Sequence, residues 1–144
     1  MELDIKKIEK IIPHRYPFLM IDRVINFKPN QKLVAIKNFS INEDCFLNCP
    51  SEQKYIPEIF IIEAMAQAAC IYFYYSQNKI GKKLIYYLAK TVINFEDLLS
   101  FGQQLYVEVS TLKLTDTIGF VKTMSHVKSK LIAEGEIIFS IKEL

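Results

Sequence analysis

The sequence predicts an α+β domain in which an antiparallel sheet covers one buried helix. Three observations carry this reading. Residues 59–75 form an almost wholly apolar run that reads as a helix. Two strand-like stretches precede the run and four follow it. Short polar turns link most neighbouring strands, which favours antiparallel hairpins over crossovers. A chain of 144 residues suffices for one domain with one core, and a single domain over 1–144 is expected.

Each element has its own reason. Ile5, Ile8, Ile11 and Ile12 recur at helical spacing among lysines, so residues 4–12 read as a short amphipathic helix stopped by Pro13. His14-Arg15-Tyr16-Pro17 then makes a turn. Residues 18–27 and 33–41 read as strands joined by the turn Lys28-Pro29-Asn30-Gln31. Residues 42–56 form an irregular loop. Pro57 suits the first turn of a helix, and Glu58 favours the positive end of its dipole. Ala64, Met65, Ala66, Ala68 and Ala69 carry that helix on to about Ser76. Asn78, Gly81, Lys82 and Lys83 are a polar exit. Residues 84–95, 105–114, 118–126 and 130–141 read as strands, with turns at Thr115-Asp116-Thr117 and Val127-Lys128-Ser129. Val107 and Val109 alternate with Glu108 and Ser110, as in a half-buried strand. A helix apolar on every side needs cover on most sides, and a curved sheet can supply it.

Composition narrows the function classes. With 51% hydrophobic and 24% charged residues, the chain is expected to be folded and soluble. Its 18 basic and 16 acidic residues leave a net charge of +2, and the basic residues are scattered. Nucleic-acid binders usually show a clustered basic excess, so no nucleic-acid partner is expected. The apolar run is close to membrane-spanning length, but Glu63 and Gln67 interrupt it, and a carboxylate in lipid is costly. No membrane span is expected. Met1-Glu2-Leu3-Asp4-Ile5-Lys6-Lys7 lacks an apolar stretch of signal-peptide type. An odd count of cysteines, Cys45, Cys49 and Cys70, then points to free thiols in a reducing cytoplasm. Cys45 and Cys49 stand four apart, but the only histidines, His14 and His126, are distant in sequence, so no zinc site is expected.

Several segments sharpen the reading. Pro13-His14-Arg15-Tyr16-Pro17-Phe18-Leu19-Met20-Ile21-Asp22-Arg23-Val24 resembles the N-terminal signature of the 3-hydroxyacyl-acyl-carrier-protein dehydratases. Val34-Ala35-Ile36-Lys37-Asn38 and Ile41-Asn42-Glu43 are similar to the family's next block. Ile61-Ile62-Glu63-Ala64-Met65-Ala66-Gln67-Ala68-Ala69 resembles its central-helix motif, and Gly102-Gln103-Gln104-Leu105 and Ile132-Ala133-Glu134-Gly135 resemble later strands. The resemblance spans nearly the whole chain. It implies a hotdog fold, an antiparallel sheet wrapped around a long central helix. It also implies homodimers, often assembled as a trimer of dimers, with a tunnel at the dimer interface. The tunnel takes an acyl chain borne on phosphopantetheine, from acyl carrier protein or CoA. The implied reaction removes water from a 3-hydroxyacyl thioester to give a trans-2-enoyl thioester. Glu63 is the implied catalytic glutamate, and no cofactor or metal takes part.

The sequence departs from that family at telling places. Family members carry Gly-His-Phe-Pro-Gly before the helix and Pro-Gly entering it. Asn48-Cys49-Pro50-Ser51-Glu52 and Pro57-Glu58 stand there instead, so Cys49 occupies the position of the catalytic histidine. Dehydration needs a base for the C2 proton and an acid for the departing C3 hydroxyl. A thiolate is a minority species near neutrality unless cations lower its pKa, and no basic residue lies between Lys37 and Lys54. Glu58 puts a negative charge where backbone N–H groups bind the thioester carbonyl. Asn94-Phe95-Glu96-Asp97 replaces a basic run expected to steer an acidic carrier protein, while Lys79, Lys82, Lys83 and Lys90 are candidates to compensate.

These observations leave three readings open. The leading one is a dehydratase-like hotdog protein of acyl-chain biosynthesis that has lost most or all activity. It binds acyl thioesters, or lends Glu63 to a histidine-containing paralogue in a heteromer. The second is a working lyase with a substitute base near Glu63. The third is a structural or regulatory oligomer with a filled tunnel. Gln67, one turn beyond Glu63, and Glu58 are the expected substrate-binding residues. Cys49 is either an acyl-accepting nucleophile or a small residue filling the vacated histidine site. His14 reads as structural and His126 as exposed. Tyr72, Phe73, Tyr74 and Tyr75 read as core or subunit packing.

Overall fold

Asp4 opens the first helix, its carboxylate accepting the Lys7 N–H at 2.9 Å. This and all that follows comes from a computed structural model, which describes residues 1–44, 47, 52 and 55–144. The elements in chain order are α1 (Ile5–Ile8), β1 (Arg23–Lys28), β2 (Lys32–Asn38), α2 (Glu58–Ser76), β3 (Leu84–Phe95), β4 (Gln104–Leu114), β5 (Ile118–Val127) and β6 (Lys130–Glu143). The six strands form one antiparallel sheet in the order β1-β2-β4-β5-β6-β3. Helix α2 packs on β4, with β5 and β2 beside it.

Register places the core. Leu33 pairs with Val109 and Ala35 with Val107, and all four are fully buried. Because strand side chains alternate, this register turns one apolar face toward α2. The helix answers with Ile61, Ala64, Met65, Ala68, Ala69 and Ile71, each buried. Full burial of a large apolar side chain contributes about 1.5–3 kcal/mol. The aromatic end of α2 serves packing. Tyr72 shares a short hydrogen bond with Thr111, Phe73 meets Phe139 edge-on at 5.7 Å, and Tyr75 lies 5.5 Å from Phe27. The Tyr74 hydroxyl accepts the Gly81 N–H at 2.7 Å and ties off the chain leaving the helix. By length and composition α2 could cross a membrane, with a mean hydropathy of 1.3. Yet 61% of it is buried inside the domain, as befits a core helix.

Three expected boundaries are corrected. The first helix is a single turn, after which Lys10, Ile11 and Ile12 run on in turns bonded to Lys7 and Ile8 up to Pro13, whose ring has no N–H to offer the Glu9 carbonyl. The Arg15 guanidinium takes up the free carbonyls of Glu9 and Ile12 at 2.8 and 2.9 Å. The strand expected from residue 18 begins at Arg23. The main chain of Phe18 and Met20 bonds to the Gln67 side chain rather than to a neighbouring strand. Strand β2 ends at Asn38, beyond which Phe39 exchanges backbone bonds with Gln103 and Gly102. The last four strands lie within two residues of their expected bounds.

The sheet has two edges. β1 carries an isolated bridge from Leu3 to Val24. Among the described residues nothing pairs with the outer edge of β3, where Tyr87, Leu88 and Val92 are each about half exposed (52%, 58% and 49%). On its inner side β3 lies against β6 with Gly135 opposite Ile93, and a Cβ at Gly135 would lie 1.9 Å from the Val92 carbonyl oxygen. That atom is backbone and can yield only by shifting the strand. Gly135→Ala is therefore expected to destabilise the protein by at least about 1–3 kcal/mol, read as a lower urea midpoint.

Candidate active site

Gln67 organises the site. Its side chain is almost fully buried, and its amide oxygen accepts the Met20 N–H at 2.8 Å. Its amide nitrogen donates to the Phe18 carbonyl at 2.9 Å and to Glu63 Oε1 at 2.7 Å. Both amide hydrogens are thereby used. The clamp straps residues 18–20 across α2 and orients Glu63 one turn earlier on the same face.

The strap also delivers the turn before it. His14 Nε2 lies 3.3 Å from Glu63 Oε1. Arg15 braces the turn through the His14 carbonyl at 2.7 Å. The other ring nitrogen, Nδ1, is buried without a hydrogen-bond partner among the described residues. Burial holds the imidazole below its ordinary pKa, Glu63 pulls it back up, and the Arg15 charge pushes it down again. The environment thus favours the neutral ring.

The pair heads an apolar crevice of about 110 Å³ between α2 and the β3–β6 ladder, walled by Cys70, Tyr86, Leu88 and Phe139. Burial, and then the nearby Glu63, push the Cys70 thiol far up, so it stays protonated and unreactive. Burial likewise keeps the Tyr86 phenol neutral, and its hydroxyl is buried with no partner among the described residues. A carboxyl group touching a neutral imidazole at the mouth of an apolar crevice is an acid–base arrangement.

The other expected residues are placed as follows. Glu58 is exposed at the start of α2, away from the residues that line this crevice. Cys49 falls outside the described residues. His126, expected to be exposed, is half-buried and stacked on Tyr106, with Nε2 3.2 Å from Glu108 and Nδ1 2.8 Å from the Lys128 carbonyl. A short β5–β6 turn folds its ring back onto the sheet. Asp97 is paired with Lys130 at 2.9 Å, so part of the acidic charge expected to repel a carrier is matched. Lys82 in turn is engaged by Glu143 at 2.7 Å. Sequence reasoning missed His14 as a site residue. It stands 49 residues before Glu63, and no spacing rule links them. The signal available was its place in the turn just before the segment that Gln67 grips.

A family described as the FabA-like domain matches residues 12–142. The 3-hydroxyacyl-[acyl-carrier-protein] dehydratase FabZ of Buchnera aphidicola subsp. Acyrthosiphon pisum is 42% identical over 143 residues, covering 99% of this chain and 95% of that protein. The FabZ protein of Listeria monocytogenes is 36% identical over 142 residues, covering 99% and 98%. Among solved structures, the dehydratase heterocomplex ApeI:P from Xenorhabdus doucetiae matches with a TM-score of 0.79 at 15% identity, covering 92% of this chain and 89% of that one. Zebra fish thioesterase superfamily member 2 matches with a TM-score of 0.66 at 15% identity, covering 99% of both. At such identities the structural matches establish the hotdog fold, while the sequence matches go further. The chain belongs to the FabA-like family of hotdog proteins, alongside the FabZ 3-hydroxyacyl-[acyl-carrier-protein] dehydratases.

Proposed function

We propose that this protein is a hydro-lyase of fatty acid biosynthesis that acts on 3-hydroxyacyl groups held as phosphopantetheine thioesters, at a rate reduced by Cys49 in place of the family's histidine. The observation that carries the reading is Glu63, oriented by Gln67 and touched by a second proton-transfer group at the mouth of an apolar crevice. Glu63 is the acid that helps the C3 hydroxyl leave as water. The acyl chain runs into the crevice along Leu88 and Phe139. The relatives named for acyl carrier protein favour that carrier over CoA. The open crevice speaks against a purely structural oligomer, and the free, buried Cys70 fits a cytoplasmic setting.

A crevice of about 110 Å³ is smaller than the roughly 300–1,000 Å³ usual for small-molecule sites. A second copy is the natural source of the missing wall. The unpaired edge of β3 offers the seam, with Leu88 both in the crevice and at that edge. The protein is therefore read as a homodimer continuous across β3. Val92→Lys, which plants a charge on the exposed edge, is expected to shift it from dimer to monomer in sedimentation.

A second reading rests on Cys49. A subunit without the family histidine could lend Glu63 to a histidine-containing paralogue and turn over nothing alone. Hydration of a short trans-2-enoyl thioester separates the two. Slow turnover by the purified protein, cut by about 100-fold or more in Glu63→Gln and raised in Cys49→His, supports the hydro-lyase. An inert wild type with an active Cys49→His variant supports the lending subunit.

A further inference from the structure

We propose that His14 is the base of this site, taking the C2 proton while Glu63 of the same chain protonates the leaving hydroxyl. The inference rests on the hydro-lyase reading and adds to it the identity of the second catalytic group. In the family resemblance that group comes from the loop before the central helix. Here the turn before β1 supplies it.

Four observations support this. The two groups are in contact, with Nε2 3.3 Å from Oε1. C2 and C3 are bonded neighbours, so an acid and a base in contact can reach one each. The ring is not consumed by structure, since Nδ1 is buried with no partner among the described residues, whereas a structural histidine normally has both nitrogens satisfied. Across the crevice, Cys70 and Tyr86 are both held protonated and cannot serve as bases near neutrality. Finally, half-burial disfavours a charged imidazolium. The ring is thereby left neutral, a free base beside the Glu63 carboxyl group.

The step balances. His14 begins as a neutral ring. Its Nε2 takes the proton from C2, and the C–H electron pair becomes the C2–C3 double bond. The imidazolium passes that proton across the 3.3 Å contact to Glu63. The C3–O bond breaks, its electrons stay with oxygen, and Glu63 delivers the proton to that oxygen to release water. Nothing is oxidised or reduced, and the pair ends as it began.

The groups facing His14 are Glu63 on α2, Arg15 on its own turn, and Cys70 and Tyr86 across the crevice. The rate should fall at low pH as the imidazole is protonated, with burial placing that limb below the ordinary histidine range. The test is hydration of a short trans-2-enoyl thioester by the full chain, with C2 hydrogen exchange followed in heavy water. His14→Asn and His14→Gln are expected to lose about 100-fold in kcat, to lose C2 exchange, and to lose that limb of the pH profile. Their melting temperatures should stay near wild type. Added imidazole should restore part of the rate in His14→Ala, which a purely structural role would not allow. Cys49→Ala should keep the wild-type rate. An active wild type whose rate survives in His14→Asn and disappears in Cys49→Ala overturns the inference and leaves the hydro-lyase reading intact. An inert wild type overturns both.

Discussion

The Gln67 amide is the interaction on which this architecture turns. An extended segment that crosses a helix has main-chain groups with no strand to pair with, and burying them unpaired costs about 1–3 kcal/mol each. Gln67 supplies an acceptor for Met20 and a donor for Phe18, as a neighbouring strand would. Its second hydrogen goes to Glu63. One buried side chain thus fixes the chain's path into the sheet and the aim of the reactive carboxyl. Fold and site share this polar anchor, and a change there disturbs both together.

Much of the architecture was legible from local pattern. Alternation at Val107 and Val109 marks β4, and the alanine-rich run marks α2, because both obey the period of one element. The expected bounds failed where tertiary partners overrode the local pattern. Helix α1 gave way to turns whose free carbonyls Arg15 takes up, and the main chain of residues 18–20 bonds to Gln67 rather than to a strand. Glu63 could be named from its motif. Its contact with His14 could not, because it joins residues 49 positions apart that the chain's path alone brings together. The same holds for His126, whose stacking on Tyr106 depends on strand register rather than on its own neighbourhood.

The crevice divides its labour by polarity. Along its lining, His14, Glu63 and Gln67 bring polar groups to one part, and Leu88, Ile137 and Phe139 supply apolar surface. Low local polarity strengthens every charge interaction at the mouth and raises the cost of separating charge there. A proton passed between neighbouring groups, with no net charge moved far, suits such a place. It also explains why the thiol of Cys70, buried on the same crevice, stays protonated and silent.

Leu88 has a double position, on the wall of the crevice and on the open rim of the sheet. Where copies join along that rim, whatever fills the crevice also touches the joint. Thermodynamic linkage then requires reciprocity: acyl occupancy tightens association by the factor with which association tightens acyl binding. In the proposed dimer, dilution would then loosen the grip on an acyl ligand with no change in any side chain of the site, and cellular abundance would become a control on its occupancy.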